Sequence, residues 1–212
     1  MAGKSTDIKP VDVSLYFIPI ETRIPLKFGP QTLTHVTMAR VCMRVADANG
    51  KTAEGWGETP LSVQWVWPTD LTYDERHEAL RAFSVQLAGA WAEYAKTGHP
   101  IEVGYSFIFD ELPKQLETFN STERAGKEAM PWLAALVCCS AFDLAMHDAY
   151  GVLHGVNTYE TYTAEYMNQD LSAFLTPAED ADVDFAGKYP ADYLVLPRPD
   201  KLPAWHLSLI HI

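Results

Sequence analysis

The chain has 212 residues, 48% hydrophobic and 21% charged, with 12 Gly and 14 Pro. That balance excludes a disordered, collagen-like or disulfide-scaffold polypeptide. Sixteen Lys and Arg stand against 28 Asp and Glu, a formal charge of −12; such a surface repels phosphate backbones and excludes nucleic acid as a partner.

The N-terminal residues Met1 to Pro10 are polar and lack the apolar run of a signal peptide. No 18 uninterrupted apolar residues occur, so no membrane is expected as a partner. The cysteines, Cys42 and the adjacent Cys138 and Cys139, read as free thiols rather than a disulfide framework. A reducing, cytoplasmic location is the expectation that follows.

Val11 to Ile20 alternates Val13, Leu15 and Phe17 against Asp12, Ser14 and Tyr16, which predicts a strand ending near Pro19. Glu21 to Gln31, with two prolines and a glycine, predicts a loop. A second strand is predicted over Thr34 to Ala46, with Val41, Met43 and Val45 on one face and Arg40, Cys42 and Arg44 on the other. Asn49-Gly50 supplies a hairpin turn, and Thr52 to Glu58 pairs back as a third strand.

Thr59 to Asp70 predicts a Trp-rich loop. Leu80, Phe83, Leu87, Trp91 and Tyr94 then recur at helical spacing, with Thr72 or Asp74 as the cap and Gly98 and Pro100 as the stop. Ile101 to Phe119 predicts two short helical pieces, broken by Pro113. Pro131 to Leu153 predicts the strongest helix, with Leu133, Leu136, Val137, Ser140, Ala141, Leu144 and Ala145 as one stripe. It is apolar nearly all round and therefore central, with Gly155 as its C-terminal cap. A further helix is predicted over Tyr159 to Leu175, an acidic loop over Thr176 to Tyr189, and a short buried strand over Tyr193 to Leu196. Strands first and helices after give an α+β fold: a three-stranded antiparallel meander followed by a helical bundle.

Four segments carry a family resemblance. They are Ile24 to Gly29 (IPLKFG), Val41 to Pro60 with its Gly-Trp-Gly-Glu ending, Ala134 to Val156 (AALVCCSAFDLAMHDAYGVLHGV), and Tyr193 to Leu196. In order and spacing they resemble the N-terminal capping domain of the enolase superfamily, in its mandelate racemase/muconate lactonizing enzyme branch. The resemblance implies a capping domain at 11–156, a connection and only the start of a (β/α)8 barrel at 157–206, and a tail at 207–212.

The family's chemistry is Mg²⁺-dependent proton abstraction next to a carboxylate, in dehydratases, racemases and cycloisomerases. The resemblance therefore implies a small carboxylate substrate, Mg²⁺ for the full-length parent and none bound by this fragment, and allows a homo-oligomer in the parent. A barrel takes about 250 residues, so metal ligands and bases would follow residue 212, and this chain alone is expected to be inactive. Leu207 to Ile212 (LSLIHI) matches what a sequencing adapter encodes and is set aside from the fold.

In the resembled family the loops after the first and third strands cover the barrel mouth. Here they are Thr22 to Thr34 and Thr59 to Pro68, and the implied substrate-binding residues are Lys27, Phe28, Trp65 and Trp67. No catalytic residue and no metal ligand is assigned. Asp143 and His147, one helical turn apart, read as a structural pair, and Glu58 as an anchor for the loop that follows it. Residues 157–206, lacking a barrel to pack on, are expected to be poorly held. The alternative reading is a stand-alone α+β binding or interaction module with the Trp-rich loop as its partner surface.

Overall fold

The computed structural model describes residues 3–28, 31–195 and 199–203. Strands β1 (Ile8–Phe28), β2 (Gln31–Asp47) and β3 (Thr52–Pro60) form an antiparallel sheet in the order β1-β2-β3. The α+β architecture expected from the sequence is the one observed. At the β2–β3 turn Asp47 Oδ1 accepts from Asn49 N and Lys51 N, 2.9 Å each.

β1 and β2 run further than the sequence predicts. The stretch expected as a loop continues as strand, pairing Leu26 with Leu33 and Phe28 with Gln31 after a register shift between Glu21 and Leu26. Pro25 is tolerated because a two-stranded ribbon with an irregular edge does not require every N–H.

One sheet face is the core face. Ala39, Val41, Met43 and Val45 are fully buried on it. Across it lies α5 (Trp132–His154), ended by Gly155 at φ 68°, as expected, with Pro131 at the N-cap. Gly55 and Gly57 of β3 let this helix touch the sheet. A Cβ at Gly55 would run into Ala149 N and Ala145 O, and one at Gly57 into Ala141 O. The Gly-x-Gly of the hairpin and the small residues of the helix are thus two halves of one contact.

The buried side of α5 is Ala134, Ala135, Cys138, Cys139, Ala141, Phe142, Ala145, Met146 and Ala149; of the expected stripe it includes Ala141 and Ala145, with Leu136 and Val137 part-buried against it. Leu133 and Leu144 from that stripe are 41% and 51% exposed. A helix apolar on every side has no preferred face by composition. The close approach to β3 selects the small residues for the inside and leaves the leucines out. By length and composition the helix could span a membrane, but its small-residue face is the centre of this core.

Four further helices close the core. After α1 (Val63–Val66), α2 (Tyr73–Glu93) starts at Thr72, whose side chain accepts from Glu75 N at 3.2 Å. It buries Leu80, Phe83, Leu87 and Trp91 and ends at Glu93, short of the expected Gly98. α3 (Pro100–Ser106) and α4 (Leu112–Ser121) are joined by a wide π-helical turn, Phe107–Glu111, closed by Leu112 N on Phe107 O. Pro113 does not break the run; the widened turn lets its ring enter where a regular helix would set it against the carbonyl of Phe109. Trp91 stacks on Phe107, ring centres 3.8 Å apart.

The C-terminal segment departs from expectation. Residues 159–175 form two short 3₁₀ turns, Thr158–Thr161 and Leu171–Ala173, rather than a helix. The acidic stretch after them has no helix or strand, as expected. Tyr193 closes a 3₁₀ turn, Pro190–Tyr193, and Leu194 and Val195 pair with no strand. The expected first barrel strand is therefore absent among the described residues; Leu196 lies outside them. The turn wins because Pro190 fixes its first residue and Asp192 reaches back to Tyr189 N at 2.8 Å.

Nor is the first part of this segment loose. Thr161 and Met167 are buried. Asn168 Nδ2 donates to both Asp7 Oδ1 and Glu102 Oε2 at 2.8 Å, and Glu102 Oε1 accepts from Asn168 N and Gln169 N. Two buried carboxylates, with the backbone N–H of Lys4 and His99 also on them, clasp the segment to α3 and to the residue just before β1. The tail at 207–212 lies outside the described residues.

Candidate functional site

The end of the sheet where β3 stops gathers the predicted binding segments. Pro60 pairs with Met38, and Leu61 N still donates to Thr37 O at 2.9 Å before the chain leaves for α1. Beyond that line β1 and β2 continue alone as a ribbon to Phe28 and Gln31. The ribbon and the Trp-rich segment thus leave one end of the sheet.

The ribbon is exposed: Ile24 is 78% and Leu26 57% accessible, and Lys27 is also exposed. Its base is held by Thr22 Oγ1 donating to Thr34 O at 3.2 Å, and by His77 Nε2 on Thr37 Oγ1 at 2.9 Å. Burial holds His77 below the usual imidazole range, so the neutral ring makes this contact at neutral pH.

The two tryptophans part company. Trp65 on α1 is 49% exposed at this end. Trp67 is withdrawn to 2%, so its ring lines no surface. Its Nε1 donates to Glu128 Oε1 at 2.9 Å, and the Arg124 guanidinium sits 5.2 Å from the ring centre. Thr69 Oγ1 donates to the second Glu128 oxygen at 2.6 Å, and Arg76 Nη1 to Trp67 O at 2.7 Å. The hydrogen bonds from Thr69 and then Trp67 keep the Glu128 carboxyl below the usual range. Trp67 is therefore the peg that fixes the segment presenting Trp65. Alternation alone could not separate them, because a bend of the chain at α1 decides which ring turns inward. The partner surface of the interaction-module reading loses its second tryptophan for the same reason.

Glu58 does not anchor the loop after it. It faces the outer side of the sheet and pairs with Arg40 across the strands, Nε to Oε1 3.2 Å. Asp148, by contrast, serves the backbone: its Oδ2 accepts from Trp56 N at 2.8 Å.

No group of three or more His, Cys, Asp or Glu among the described residues is placed to hold a metal ion. The described side chains thus give Mg²⁺ no fitting ligand set. Asp143 and His147 stand 3.9 Å apart, and the other ring nitrogen, Nδ1, meets Tyr162 OH at 3.1 Å. Burial raises the Asp143 carboxyl and lowers the His147 imidazole, each toward its neutral form. The pair belongs to a buried cluster with little local signature. His99 lies at its centre, its Nε2 on Thr161 Oγ1 at 3.1 Å and its ring edge-on to Tyr150. Burial, with His147 and His154 nearby, pushes His99 down to about 3. The one local signal was Glu102 three residues after it, the spacing of a helix-capping pair.

No family model matches the chain, and no curated protein matches it. Solved structures with similarity include the L-Ala-D/L-Glu epimerase from Bacillus subtilis in a substrate-liganded complex, 18% identical over 73% of this chain and 34% of that one, TM-score 0.42. A mandelate racemase/muconate lactonizing enzyme-like protein from Rubrobacter xylanophilus is 16% identical over 72% and 33%, TM-score 0.40. A dipeptide epimerase from Cytophaga hutchinsonii, complexed with Mg and the dipeptide D-Ala-L-Val, is 17% identical over 66% and 29%, TM-score 0.37. The chain spans about a third of the length of these proteins.

Proposed function

We propose that this chain is the substrate-specificity cap of an enolase-superfamily enzyme that removes a proton next to a carboxylate with the help of Mg²⁺. The observation that carries the reading is the shared end of the sheet, from which both the Ile20–Phe28 ribbon and the Trp65 segment depart. A lid needs such an arrangement: two presented segments on a rigid base, able to exclude water from one mouth. Lys27 would meet a second anionic group of the substrate, Phe28 and Trp65 would wall its apolar part, and Trp67 would hold the Trp65 segment in place. The exposed leucines of α5, Leu133 and Leu144, supply an apolar face on which a cap would rest against its catalytic domain.

Mg²⁺ supplies charge stabilisation for the enediolate when bound; in this reading its ligands and the acid and base belong to the catalytic domain, and no step is assigned to them here. The 212-residue chain alone is expected to show no Mg²⁺-dependent exchange of substrate α-protons in D₂O. Extension of the reading frame past residue 206 should encode spaced acidic residues on strands. In that longer enzyme Lys27→Ala should raise KM about tenfold or more with kcat little changed. Exchange by the short chain, or an extension without such strands, would refute the cap reading.

A further inference from the structure

The free edge of β1 has a short window bounded at each end by a proline. Leu61 N bonds Thr37 O, so the odd-numbered residues of β2 from Thr37 to Val45 turn their backbone groups toward β3, and the even-numbered ones toward β1. Their partners in β1 follow: Asp12, Ser14, Tyr16 and Ile18 bond to β2, while Val13, Leu15, Phe17 and Pro19 face outward. Pro10, opposite Val45, also faces outward. Both prolines therefore sit where no ladder bond is lost, and each removes a donor from the edge. Further back, Ile8 is already paired, exchanging both backbone bonds with Gly98 at 3.0 Å. Between Pro10 and Pro19 three residues, Val13, Leu15 and Phe17, keep outward N–H and C=O groups with no described partner.

An open recess of ≈ 640 Å³ lies along that window. Tyr16, Ile18, Arg40 and Trp56 line it on the outer side of the sheet, and Phe17 and Arg81 on the side of α2. Arg81 stacks over Phe17, 4.8 Å from the ring centre, and gives Nη1 to Glu78 at 3.0 Å. Its Nε–H is buried and has no acceptor among the described residues. The Arg81 guanidinium, part-exposed in the recess beside unpaired strand groups, is the complement of an extended peptide bearing one carboxylate.

We infer that the β1 edge between Pro10 and Pro19 binds an extended peptide of the pattern apolar–acidic–apolar, added to the sheet as a fourth strand. Val13, Leu15 and Phe17 hydrogen-bond its backbone. The acidic side chain lies opposite Phe17 and meets the Arg81 guanidinium. Side chains alternate along a strand, so the residues before and after it fall on the other face, against Tyr16 and Ile18. The prolines fix the length at about seven residues, the span from Asp12 to Ile18.

The test is an NMR titration of the 212-residue chain with acetyl-Val-Glu-Val-Thr-Ser-Thr-Ser-amide, whose Glu stands opposite Phe17 when the peptide runs antiparallel to β1 from Ile18 back to Asp12. Binding should shift the amide signals of Val13, Leu15 and Phe17 and slow their hydrogen exchange. Replacing the peptide's Glu by Gln, or Arg81→Gln in the protein, should weaken binding about tenfold. Leu15→Pro should abolish it while leaving the sheet intact, since that N–H makes no internal bond. If that variant unfolds, a peptide N-methylated at its Val and Glu amides gives the same answer on the unaltered protein and should not bind. No binding at millimolar peptide, equal affinity of the Glu and Gln peptides, undiminished binding of the N-methylated peptide, or sedimentation showing the edge already taken by a second copy would each overturn the inference.

Discussion

His99 is the residue whose environment has the clearest consequence. Unfolded, its imidazole takes a proton near 6.5; folded, it does so only near about 3. Above 6.5 both states are neutral and the ring makes no contribution to pH dependence. Below 6.5 only the unfolded chain gains the proton, so stability falls until the pH nears the folded value. From pH 6.5 to 5 the loss from this one ring is about 2 kcal/mol. His147, lowered by the same burial, adds in the same direction, while the raised Asp143 carboxyl opposes both as the pH falls further. Urea unfolding at pH 7.5 and pH 5 should show the drop, and His99→Gln should remove most of that slope. An unchanged slope in the variant would mean that other groups carry it. None of this was legible beforehand, because a buried histidine and a solvated one look alike in a sequence.

Among the elements, the contact between β3 and α5 is the least forgiving. Gly55→Ala or Gly57→Ala would press a methyl group against helix backbone, not against a side chain that can swing away. Each should cost about 3 kcal/mol or more and lower Tm by several degrees, as read by thermal melts. Gly89→Ala, where a Cβ meets nothing within 4 Å, is the matched control and should be neutral or stabilising. The clasp on the C-terminal segment makes a second case. Asn168→Ala would strip one donor from Asp7 and one from Glu102, both buried. The expected loss is about 2 kcal/mol, and limited proteolysis should first cut between residues 157 and 175.

The same two elements show what sequence could and could not reveal. The strands of the meander were legible because alternation of Val41, Met43 and Val45 against charged residues leaves one solution. The burial face of α5 was not, because its composition names no face and a contact with glycines ninety residues earlier decides it. The ribbon beyond Ile20 was hidden by Pro25, Gly29 and Pro30, which read as punctuation wherever they occur. The clasp on residues 157–169 depends on Asp7 and Glu102, far off in the chain, and has no local period. Of the candidate site, both segments leave one end of the sheet, while the inward turn of Trp67 required the carboxylate of Glu128 to be seen beneath it.

For the whole molecule, the ribbon and the outer leucines of α5 are surfaces a free-standing domain would ordinarily cover. On the cap reading, the isolated chain should bind a hydrophobic dye and self-associate with increasing concentration. Leu133→Lys together with Leu144→Lys should suppress both at a cost of no more than about 0.5 kcal/mol of stability each. Light scattering and dye fluorescence across a concentration series check this; persistent association in the double variant would place the sticky surface elsewhere.

Cys138 and Cys139 sit back to back in the deepest layer, and Cys42 lies in the sheet, part-exposed. Burial pushes the Cys138 thiol up to about 12 and Cys139 higher still, so neither offers a thiolate to an alkylating reagent while the domain stays closed. Burial and the nearby Glu54 raise the Cys42 thiol as well, so a maleimide should modify Cys42 first, if slowly, and wait for global opening to reach the other two. Counting mass increments against time would turn this pair into a built-in clock for unfolding, with the third sulfur marking its zero.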